Sequence, residues 1–329
     1  MVESTAVHRR APVAELPRED LIVEVATLYY RRRLDQEEIA RRIGVSRSTV
    51  SRMLSEALKT GVVEIRIRGG LPLAEDLQRD LVREFRLRDA LVLDAHGWGD
   101  DVLGRVGRLA ARYLDSTLGD GDVLAISWGT GVRAVADGLE PKVSRNVEVI
   151  QMLGGAGSRH PDVDGTELAR RLAGLLGGRC RYLNAPLVVD DEEVAAALLR
   201  QRSARETLAA AANADIAVVG IGALVPEVSS LLRAGHLTHR GIMELRRLGA
   251  VGDVCGHLFT IDGRLVDAEF ARRIVTIDVE ALRRISRVVG VAMDVVKTEA
   301  ILGALRSGLV NVLVTDDAAA RGVLAAAAT

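Results

Sequence analysis

The sequence predicts an α/β protein of two parts, a small and mainly helical N-terminal region followed by a larger doubly wound parallel sheet. Three observations predict it. Apolar residues follow helical spacing through residues 19–59, short aliphatic runs alternate with helical stretches farther along, and Gly-Gly-Leu-Pro at 69–72 separates the two patterns. Continuous apolar strands that alternate with helices are typical of a parallel sheet covered on both faces.

The composition sets the classes of protein that the chain can belong to. Its 329 residues are 48% hydrophobic and 27% charged, which excludes a disordered chain and allows two domains. Aromatic residues make up 3%, so aliphatic side chains must fill the core. Cys180 and Cys255 lie too far apart for a zinc knuckle and favour a reduced, cytoplasmic protein with no metal site. No apolar run approaches the ~18 residues of a membrane span, so no membrane contact is expected.

Charge is distributed unevenly along the chain. The formal net charge of -1 argues against a uniformly basic coat, yet residues 1–70 hold 13 Arg and Lys against 10 Asp and Glu. Within 41–68 the count is 7 basic to 2 acidic. Such a local excess predicts a patch that can hold DNA on an otherwise acidic protein.

The N-terminal elements follow in order from capping and breaker residues. A polar arm, 1–18, precedes a helix over 19–34, a second over 36–43 and a third from Ser46 towards Lys59. Residues 62–68 alternate like an edge strand, so 19–68 is predicted as a winged unit. The linker is placed at 69–75 and the second domain at 76–329.

The two short helices are predicted to form a helix-turn-helix. Gly44 occupies the turn, where a left-handed conformation costs least, and Asp35 and Ser46 can cap the helices. A small residue, Ala40, stands where the helices would cross. In such motifs the N-terminal half of the later helix, here the one that starts at Ser46, enters the major groove. The expected contacts with double-stranded DNA from this helix are Ser46, Arg47, Ser48, Thr49, Ser51 and Arg52. Arg41 and Arg42 of the preceding helix and Arg66 of the wing suit contacts with phosphates.

The rest of the chain predicts seven strands and six helices. The strands are placed at 90–94, 123–127, 147–153, 181–184, 216–221, 288–292 and 312–315. The helices are placed at 101–118, 130–138, 166–176, 192–202, 297–307 and 318–328. Ligands of such sheets bind beyond the carboxyl ends of the strands, so the loops there are the candidate site.

One of these loops has the character of an anion site. The stretch Ser127, Trp128, Gly129, Thr130 and Gly131 follows a strand and opens a helix, so free backbone N–H groups and the helix dipole meet there. A plain glycine-rich turn is the alternative. The same glycines also match a loose dinucleotide fingerprint, which is a weak signal when it stands alone.

Other strand-end residues complete the candidate site. Lys297 is one of three lysines in a chain with 41 arginines, which hints that a compact ammonium group is needed there. Asp253 lies among glycines that let a ligand approach the backbone. The remaining candidates are Gln151, Gly154, Gly220 and Gly222. We expect the strand-end loops at 127–131, 151–155, 219–222 and 249–253 to converge on one cleft. The six histidines show no metal or triad spacing.

The chain resembles the SorC-type family of bacterial sugar-responsive transcription regulators, which is related to DeoR. The stretches that carry the resemblance are LYYRRRLDQEEIARRIGVSRSTVSRMLSEALKTGVVEIRI at 28–67, SWGTG at 127–131, QMLGG at 151–155, VGIG at 219–222, GAVGDVCGHLF at 249–259 and VVGVAMDVVKTEAILGALRSGLVNVLVTD at 288–316. The resemblance implies a winged helix-turn-helix joined to a Rossmann-like domain similar to phosphosugar isomerases. It implies a sugar, sugar phosphate or polyol effector, no cofactor, and a homo-oligomer, usually a dimer of dimers.

The resemblance also implies roles for individual residues, and two positions depart from the family pattern. Ser127, Gly129, Thr130 and Gly131 would contact phosphate or ring, Gln151 and Asp253 would contact hydroxyls, and Lys297 an anion or hydroxyl. The family often has a hydroxyl residue where Gly131 stands, so we expect Arg133 to be able to substitute. Asp294 adds a carboxylate that would repel a phosphate, which makes a neutral sugar or polyol credible.

Three functions therefore remain on the sequence alone. A ligand-controlled transcription regulator, not an enzyme, explains both parts of the chain. A phosphosugar isomerase or deaminase would explain the sheet, but it needs a positioned general base that the sequence does not show beyond Asp253. A dinucleotide-responsive redox regulator depends on the weak glycine match alone.

Overall fold

The computed structural model describes residues 17–63, 70–96, 101–157 and 161–328. Contacts between residues divide the chain into two compact units, Met1–Gly70 and Leu71–Thr329, and each is described by itself. The boundary falls inside the linker predicted at 69–75.

Between residues 17 and 63 the N-terminal unit has three α-helices, α1 (Arg18–Ala26), α2 (Gln36–Ile43) and α3 (Arg47–Lys59). The single helix predicted over 19–34 is wrong in detail, because α1 passes into a π-helical turn at Thr27–Arg31 and the chain then leaves the helix. Pro17 stands before the first turn of α1, where its missing N–H costs nothing.

The corner between α2 and α3 confirms the predicted caps. Asp35 Oδ1 accepts from Glu38 N at 2.8 Å, and Glu38 Oε2 accepts in return from Asp35 N at 3.0 Å. Ser46 Oγ accepts from Thr49 N at 3.2 Å and so caps α3. Gly44 has φ of 75°, the left-handed conformation that ends α2. Each cap thus satisfies one of the otherwise free N–H groups in the first turn of its helix.

An aliphatic core holds the three helices together. Val25, Ile39, Val50 and Ala57 are fully buried in it, and Ala40 is buried where close approach was predicted. Of the predicted wing at 62–68, residues 64–68 lie outside the described residues, Arg66 among them.

The second unit contains a seven-stranded parallel sheet in the order β1-β10-β9-β5-β2-β3-β4. Its strands are β1 (Asp89–Leu93), β2 (Val123–Ile126), β3 (Glu148–Gln151), β4 (Arg179–Arg181), β5 (Ile216–Gly220), β9 (Arg287–Val291) and β10 (Val312–Asp316). The parallel sheet and its seven strands confirm the predicted fold class, with most ends shifted by one or two residues. The fourth strand was predicted later, at 181–184.

Helices cover both faces of this sheet. The helices are α4 (Glu75–Phe85), α5 (Val102–Thr117), α6 (Thr130–Gly138), α7 (Gly165–Leu176), α8 (Glu192–Arg200), α9 (Arg202–Ala212), α10 (Ser230–Arg233), α11 (His239–Arg247), α12 (Glu269–Arg272), α13 (Val279–Arg284), α14 (Thr298–Ser307) and α15 (Asp317–Ala327). One apolar core joins α5, α6 and α7 to the sheet, and a second joins α4, α9, α14 and α15 to the opposite face.

A small antiparallel sheet was not predicted. It contains β6 (Gly222–Ala223), β7 (Ala250–Val254) and β8 (His257–Thr260) in that order. The prediction of a loop at 249–253 is therefore wrong. Cys255 and Gly256 have φ of 52° and 79°, so a tight hairpin joins β7 to β8. Gly252 permits the pairing, because a Cβ there would lie 2.5 Å from the Gly222 carbonyl oxygen.

Candidate functional site

The N-terminal half of α3 presents a polar, basic surface. Arg47, Ser48, Ser51 and Arg52 are exposed, whereas Thr49 is half-buried against the caps. The Ser46 hydroxyl lies 2.8 Å from that of Ser48 and 2.9 Å from that of Thr49. Ser46, Ser48 and Thr49 therefore help to hold the start of α3, while Arg47, Ser51 and Arg52 present exposed polar groups on this surface.

Two further arginines flank this surface. Arg41 and Arg42 are exposed in the last turn of α2, where positive charge also suits the helix dipole. The one acidic residue of α3, Glu56, pairs with Arg18 at 2.8 Å, and this hydrogen bond lowers the pKa of the Glu56 carboxyl. The exposed cations of α2 and α3 thus lie on the residues predicted for contacts with base edges and phosphates.

In the second unit, a cavity of about 210 Å³ opens beyond the carboxyl ends of the strands. It lies where the strand order reverses, because the chain proceeds from β2 to β3 on one side and β5 pairs with β2 on the other. Ligands of doubly wound sheets bind at this reversal. The loops after β2, β5 and β9 form its walls, and the β7–β8 hairpin and α10 complete them.

The loop after β2 brings the start of α6 to the cavity, as predicted. Gly129 has φ of 108°, which suits glycine, and leads into the first turn of α6 at Thr130. A Cβ on Gly131 would lie 2.9 Å from the Val291 carbonyl oxygen, so the hydroxyl side chain common in the family has no room at this position. The Ser127 hydroxyl accepts from Gly220 N at 3.2 Å and fixes the ends of β2 and β5 to each other.

Asp253 and Lys297 reach the same cavity from different elements. Asp253 is in β7, and its Oδ2 accepts from Gly256 N at 3.1 Å. Lys297 lies in the short 3-10 turn before α14, and its Nζ donates to the Ile221 carbonyl oxygen at 2.9 Å. Within the described part of the chain no ion pair within 4.0 Å joins the two side chains, so these opposite charges do not pair directly.

Burial dominates the electrostatics of this pair. Protein surrounds Asp253 except on its cavity side, and this burial raises the pKa of its carboxyl. The hydrogen bond from Gly256 N and the positive charge of Lys297 lower that pKa but do not outweigh the burial. Burial lowers the pKa of Lys297, opposed by the attraction of Asp253. Each charged form is thus costly in the cavity and depends on the other, or on a ligand, for compensation.

Two more charged side chains line the cavity, and the sequence pointed to only one of them. Arg233, at the end of α10, lines the cavity and was missed, because no pattern in the sequence predicted so short a helix. Asp294 lines it as expected from its sequence position, with its Oδ1 accepting from Val296 N at 3.0 Å. The cavity therefore holds two cations and two carboxylates, a mixed set that suits a polyhydroxylated ligand.

Three expected residues do not line this cavity. Gln151 is fully buried, and its Oε1 accepts from Leu183 N at 3.3 Å, on the far side of β2. Gly154 packs against the backbone of Pro186. Arg133 forms ion pairs with Asp137 and Asp162 on the surface. The prediction that the loop at 151–155 shares the cleft is therefore wrong, because β3 lies one strand beyond the reversal.

Comparison with protein families matches both units. A model described as "Putative sugar-binding domain" matches residues 73–325, and a Crp-like helix-turn-helix domain matches residues 20–78. No helix among the described residues has the length and apolar content to cross a membrane.

Curated proteins and solved structures agree with these matches. The chain is 34% identical to the transcriptional regulator LsrR of Klebsiella pneumoniae subsp. pneumoniae, covering 98% of each, and 30% identical to the deoxyribonucleoside regulator of Bacillus subtilis, covering 93% and 98%. The crystal structure of the full-length sorbitol operon regulator SorC from Klebsiella pneumoniae superposes with a TM-score of 0.70 at 28% identity, covering 93% of this chain and 98% of that one.

A helix-turn-helix unit and a sugar-binding parallel-sheet domain define the protein as a DNA-binding transcriptional regulator with a small-molecule effector. The chain belongs to the SorC-type family of sugar-binding transcriptional regulators, as the resemblance had indicated.

Proposed function

We propose that one sugar, sugar phosphate or polyol molecule binds between Asp253 and Lys297 and thereby sets the affinity of the helix-turn-helix unit for its operator. The observation that carries this proposal is that two partly buried, opposite charges line one cavity at the switch point of the sheet without an ion pair within 4.0 Å between them. A ligand hydroxyl between them accepts a hydrogen bond from the ammonium group and donates one to the carboxylate. Both costly charges are then compensated at once.

The rest of the cavity wall supports a polyhydroxylated ligand. The N-terminus of α6 at Thr130 offers backbone N–H groups, which suit an oxygen acceptor or an anion. Arg233 adds a second cation for a phosphate or carboxylate, and the Asp294 carboxylate favours hydroxyl donors. Sugars with and without a phosphate thus both have partners in the cavity.

The size of the cavity argues against a dinucleotide. Its volume of about 210 Å³ is below the roughly 300–1,000 Å³ of pockets that hold drug-sized ligands. A single monosaccharide-sized molecule matches it better than two linked nucleotides. The glycine at position 131 is explained by its packing against Val291, so the loose fingerprint needs no pyrophosphate.

We propose that the domain binds its effector without converting it. No histidine is among the residues that line the cavity, and the titratable groups there are held by backbone atoms: Asp253 by Gly256 N and Lys297 by the Ile221 carbonyl oxygen. Incubation of the protein with its effector, followed by chromatography, should return the effector unchanged. Turnover at more than one equivalent would contradict a purely regulatory role.

The test starts from a thermal-shift screen of sugars, sugar phosphates, polyols and dinucleotides. With the compound that raises the Tm most, Lys297→Ala and Asp253→Ala should each weaken effector binding by at least ~1.5 kcal/mol, the scale of one charge-assisted hydrogen bond. Operator affinity without effector should stay near that of the wild type, since neither residue belongs to the helix-turn-helix unit. Gel shifts with and without the compound measure both quantities.

Lys142→Ala and Asp262→Ala are the matched controls, because both side chains are exposed and neither lines the cavity. They should respond to the effector like the wild type. If the cavity variants respond in the same way, the effector binds elsewhere. If they lose operator binding without effector, the two residues have a structural role instead.

A further inference from the structure

We infer that Asp94, His96 and Asp317 form a binding site for one divalent transition-metal ion such as Zn²⁺, at an edge of the sheet separate from the effector cavity. One ligand atom from each of the three side chains lies within 4.8 Å of the other two. None of the three residues is among those that line the effector cavity.

The topology brings these residues together. β1 and β10 are paired in parallel, with Leu93 beside Asp316, so the residues that follow each strand, Asp94 and Asp317, leave the sheet at the same point. Asp317 opens α15, and His96 follows Asp94 by two positions. Residues more than 200 positions apart in the sequence therefore meet at one edge, which is why the spacing of histidines could not show this site.

The distances suit a tetrahedral ion. His96 Nδ1 lies 3.0 Å from Asp317 Oδ2 and 3.3 Å from Asp94 Oδ1. Bonds of about 2.0–2.1 Å at tetrahedral angles separate two ligand atoms by roughly 3.3 Å, so an ion fits between the three with small movements. Three protein ligands leave a fourth position open to water or to an exogenous oxygen.

The carboxylates are already fixed by the backbone of the loop that carries the imidazole. Ala95 N donates to Asp317 Oδ1 at 3.1 Å, which leaves Oδ2 turned towards His96. His96 N donates to Asp94 Oδ1 at 3.2 Å. Such hydrogen bonds orient metal ligands before the ion arrives and limit the entropy lost on binding.

A simple ion pair explains this arrangement less well. The His96 side chain is 79% exposed, and an exposed pair of this kind contributes little to stability because water screens it. Asp317 is 5% exposed, and the cation beside it, Arg321, stays 3.8 Å away with its own side chain 62% exposed. A divalent ion would balance both carboxylates together.

The donor set selects the class of ion. One imidazole nitrogen with two carboxylate oxygens suits Zn²⁺, Co²⁺ or Mn²⁺, whereas Mg²⁺ and Ca²⁺ prefer oxygen ligands alone. When bound, the ion ties the loop after β1 to the start of α15. We therefore expect it to stabilise this edge of the sheet.

The test uses full-length, tag-free protein stripped with a chelator and titrated with Zn²⁺ by calorimetry in competition with a chelator of known affinity. The wild type should show one site per chain that His96→Ala and Asp317→Asn weaken at least tenfold. His239→Ala, which removes an exposed histidine on α11, should leave that site unchanged. His96→Ala is decisive, since an exposed side chain is removed without disturbing the core.

Co²⁺ spectra supply the second measurement, because Cys180 and Cys255 could also bind metal. The proposal expects visible d–d bands that disappear in His96→Ala and no thiolate-to-cobalt charge-transfer band. A wild-type protein without a Zn²⁺ site, a site that survives His96→Ala, or a charge-transfer band that follows the bound Co²⁺ would each overturn it.

Discussion

At the scale of single residues, the helix-turn-helix surface and the effector cavity differ in how far their charged side chains are exposed. Arg47 and Arg52 are exposed on α3, Arg41 and Arg42 are exposed in the last turn of α2, and we propose base contacts for the first pair and phosphate contacts for the second. In the cavity, burial raises the pKa of Asp253 and lowers that of Lys297, so it disfavours the charged form of each. Removal of an arginine from the helix-turn-helix surface therefore tests DNA binding, whereas removal of a cavity charge tests effector binding.

The first residue prediction concerns DNA reading. Arg47→Ala should cost ~1–3 kcal/mol of operator affinity and relax the preference at one base pair, the effect expected for an arginine bidentate to guanine. Arg41→Ala should weaken all sequences alike and reduce the salt dependence by about one ion. Gel-shift titrations against an operator selected from random sequence measure both. If neither variant changes the titration, another surface reads the DNA.

The second residue prediction concerns the cost of the buried carboxyl. Because burial raises the pKa of Asp253, the favourable contribution of its protonated form is present below the ordinary aspartate pKa and is lost as pH rises through the raised value. Asp253→Asn keeps an acceptor for Gly256 N without the charge. The Tm of the variant relative to the wild type should therefore increase between pH 4 and pH 7.5.

The same variant should weaken the response to effector, since a neutral amide accepts a weaker hydrogen bond from a ligand hydroxyl than a carboxylate does and no longer balances the charge of Lys297. Asp262→Asn, at an exposed site, is the control and should show no such trend with pH. If the Tm of Asp253→Asn relative to the wild type instead decreased as pH rises, the charged carboxylate would be stabilised in the folded protein and the prediction would be wrong.

At the scale of elements, the contact between α5 and α6 positions the cavity. Gly107 of α5 lies directly against Ala134 of α6, so that a Cβ there would overlap the Ala134 backbone. α6 carries Gly129 and Thr130 to the cavity at its N-terminus, so its placement depends on this close approach. The short hairpin between β7 and β8 likewise places Asp253 at the cavity.

The element prediction compares two glycines in helices. Gly107→Ala must push α5 from α6 and should destabilise the protein by ~1–3 kcal/mol, with weaker effector binding. Gly174→Ala on the exposed face of α7 meets nothing within 4 Å and should instead stabilise it by ~0.4–1 kcal/mol. Thermal unfolding measures both, at roughly 2–4 °C per kcal/mol. Equal effects of the two changes would contradict the close packing of α5 on α6.

At the scale of the whole molecule, one helix-turn-helix unit contacts one half-site of the operator. Because an operator of this kind has two half-sites, high affinity requires more than one chain. Pairing two units adds affinity by raising the effective concentration of the second. We therefore propose a homo-oligomer, a dimer of dimers by resemblance, held by the residues after the linker.

The corresponding prediction is that the full chain sediments as a dimer or tetramer at micromolar concentration, and that residues 71–329 alone keep that state. Removal of residues 1–70 should abolish DNA binding without changing effector binding. A monomeric 71–329 fragment would place the association in the N-terminal unit instead.

The sequence by itself determined the features that depend on neighbours a few positions away. The caps at Asp35 and Ser46, the turn at Gly44 and the bounds of α2 and α6 were predicted correctly, because capping and helical periodicity are local. The parallel sheet also followed from its apolar runs, since strands buried on both faces must be continuously apolar.

The tertiary structure alone decided which distant residues meet. The strand order turns Gln151 away from the cavity, and the short helix α10 brings Arg233 to it. Antiparallel pairing converts an expected loop at 249–253 into the strand that carries Asp253. The same order places His96 against Asp317 across 221 positions. Strand pairing and burial depend on contacts between distant parts of the chain, and no pattern within a short window of sequence contains them.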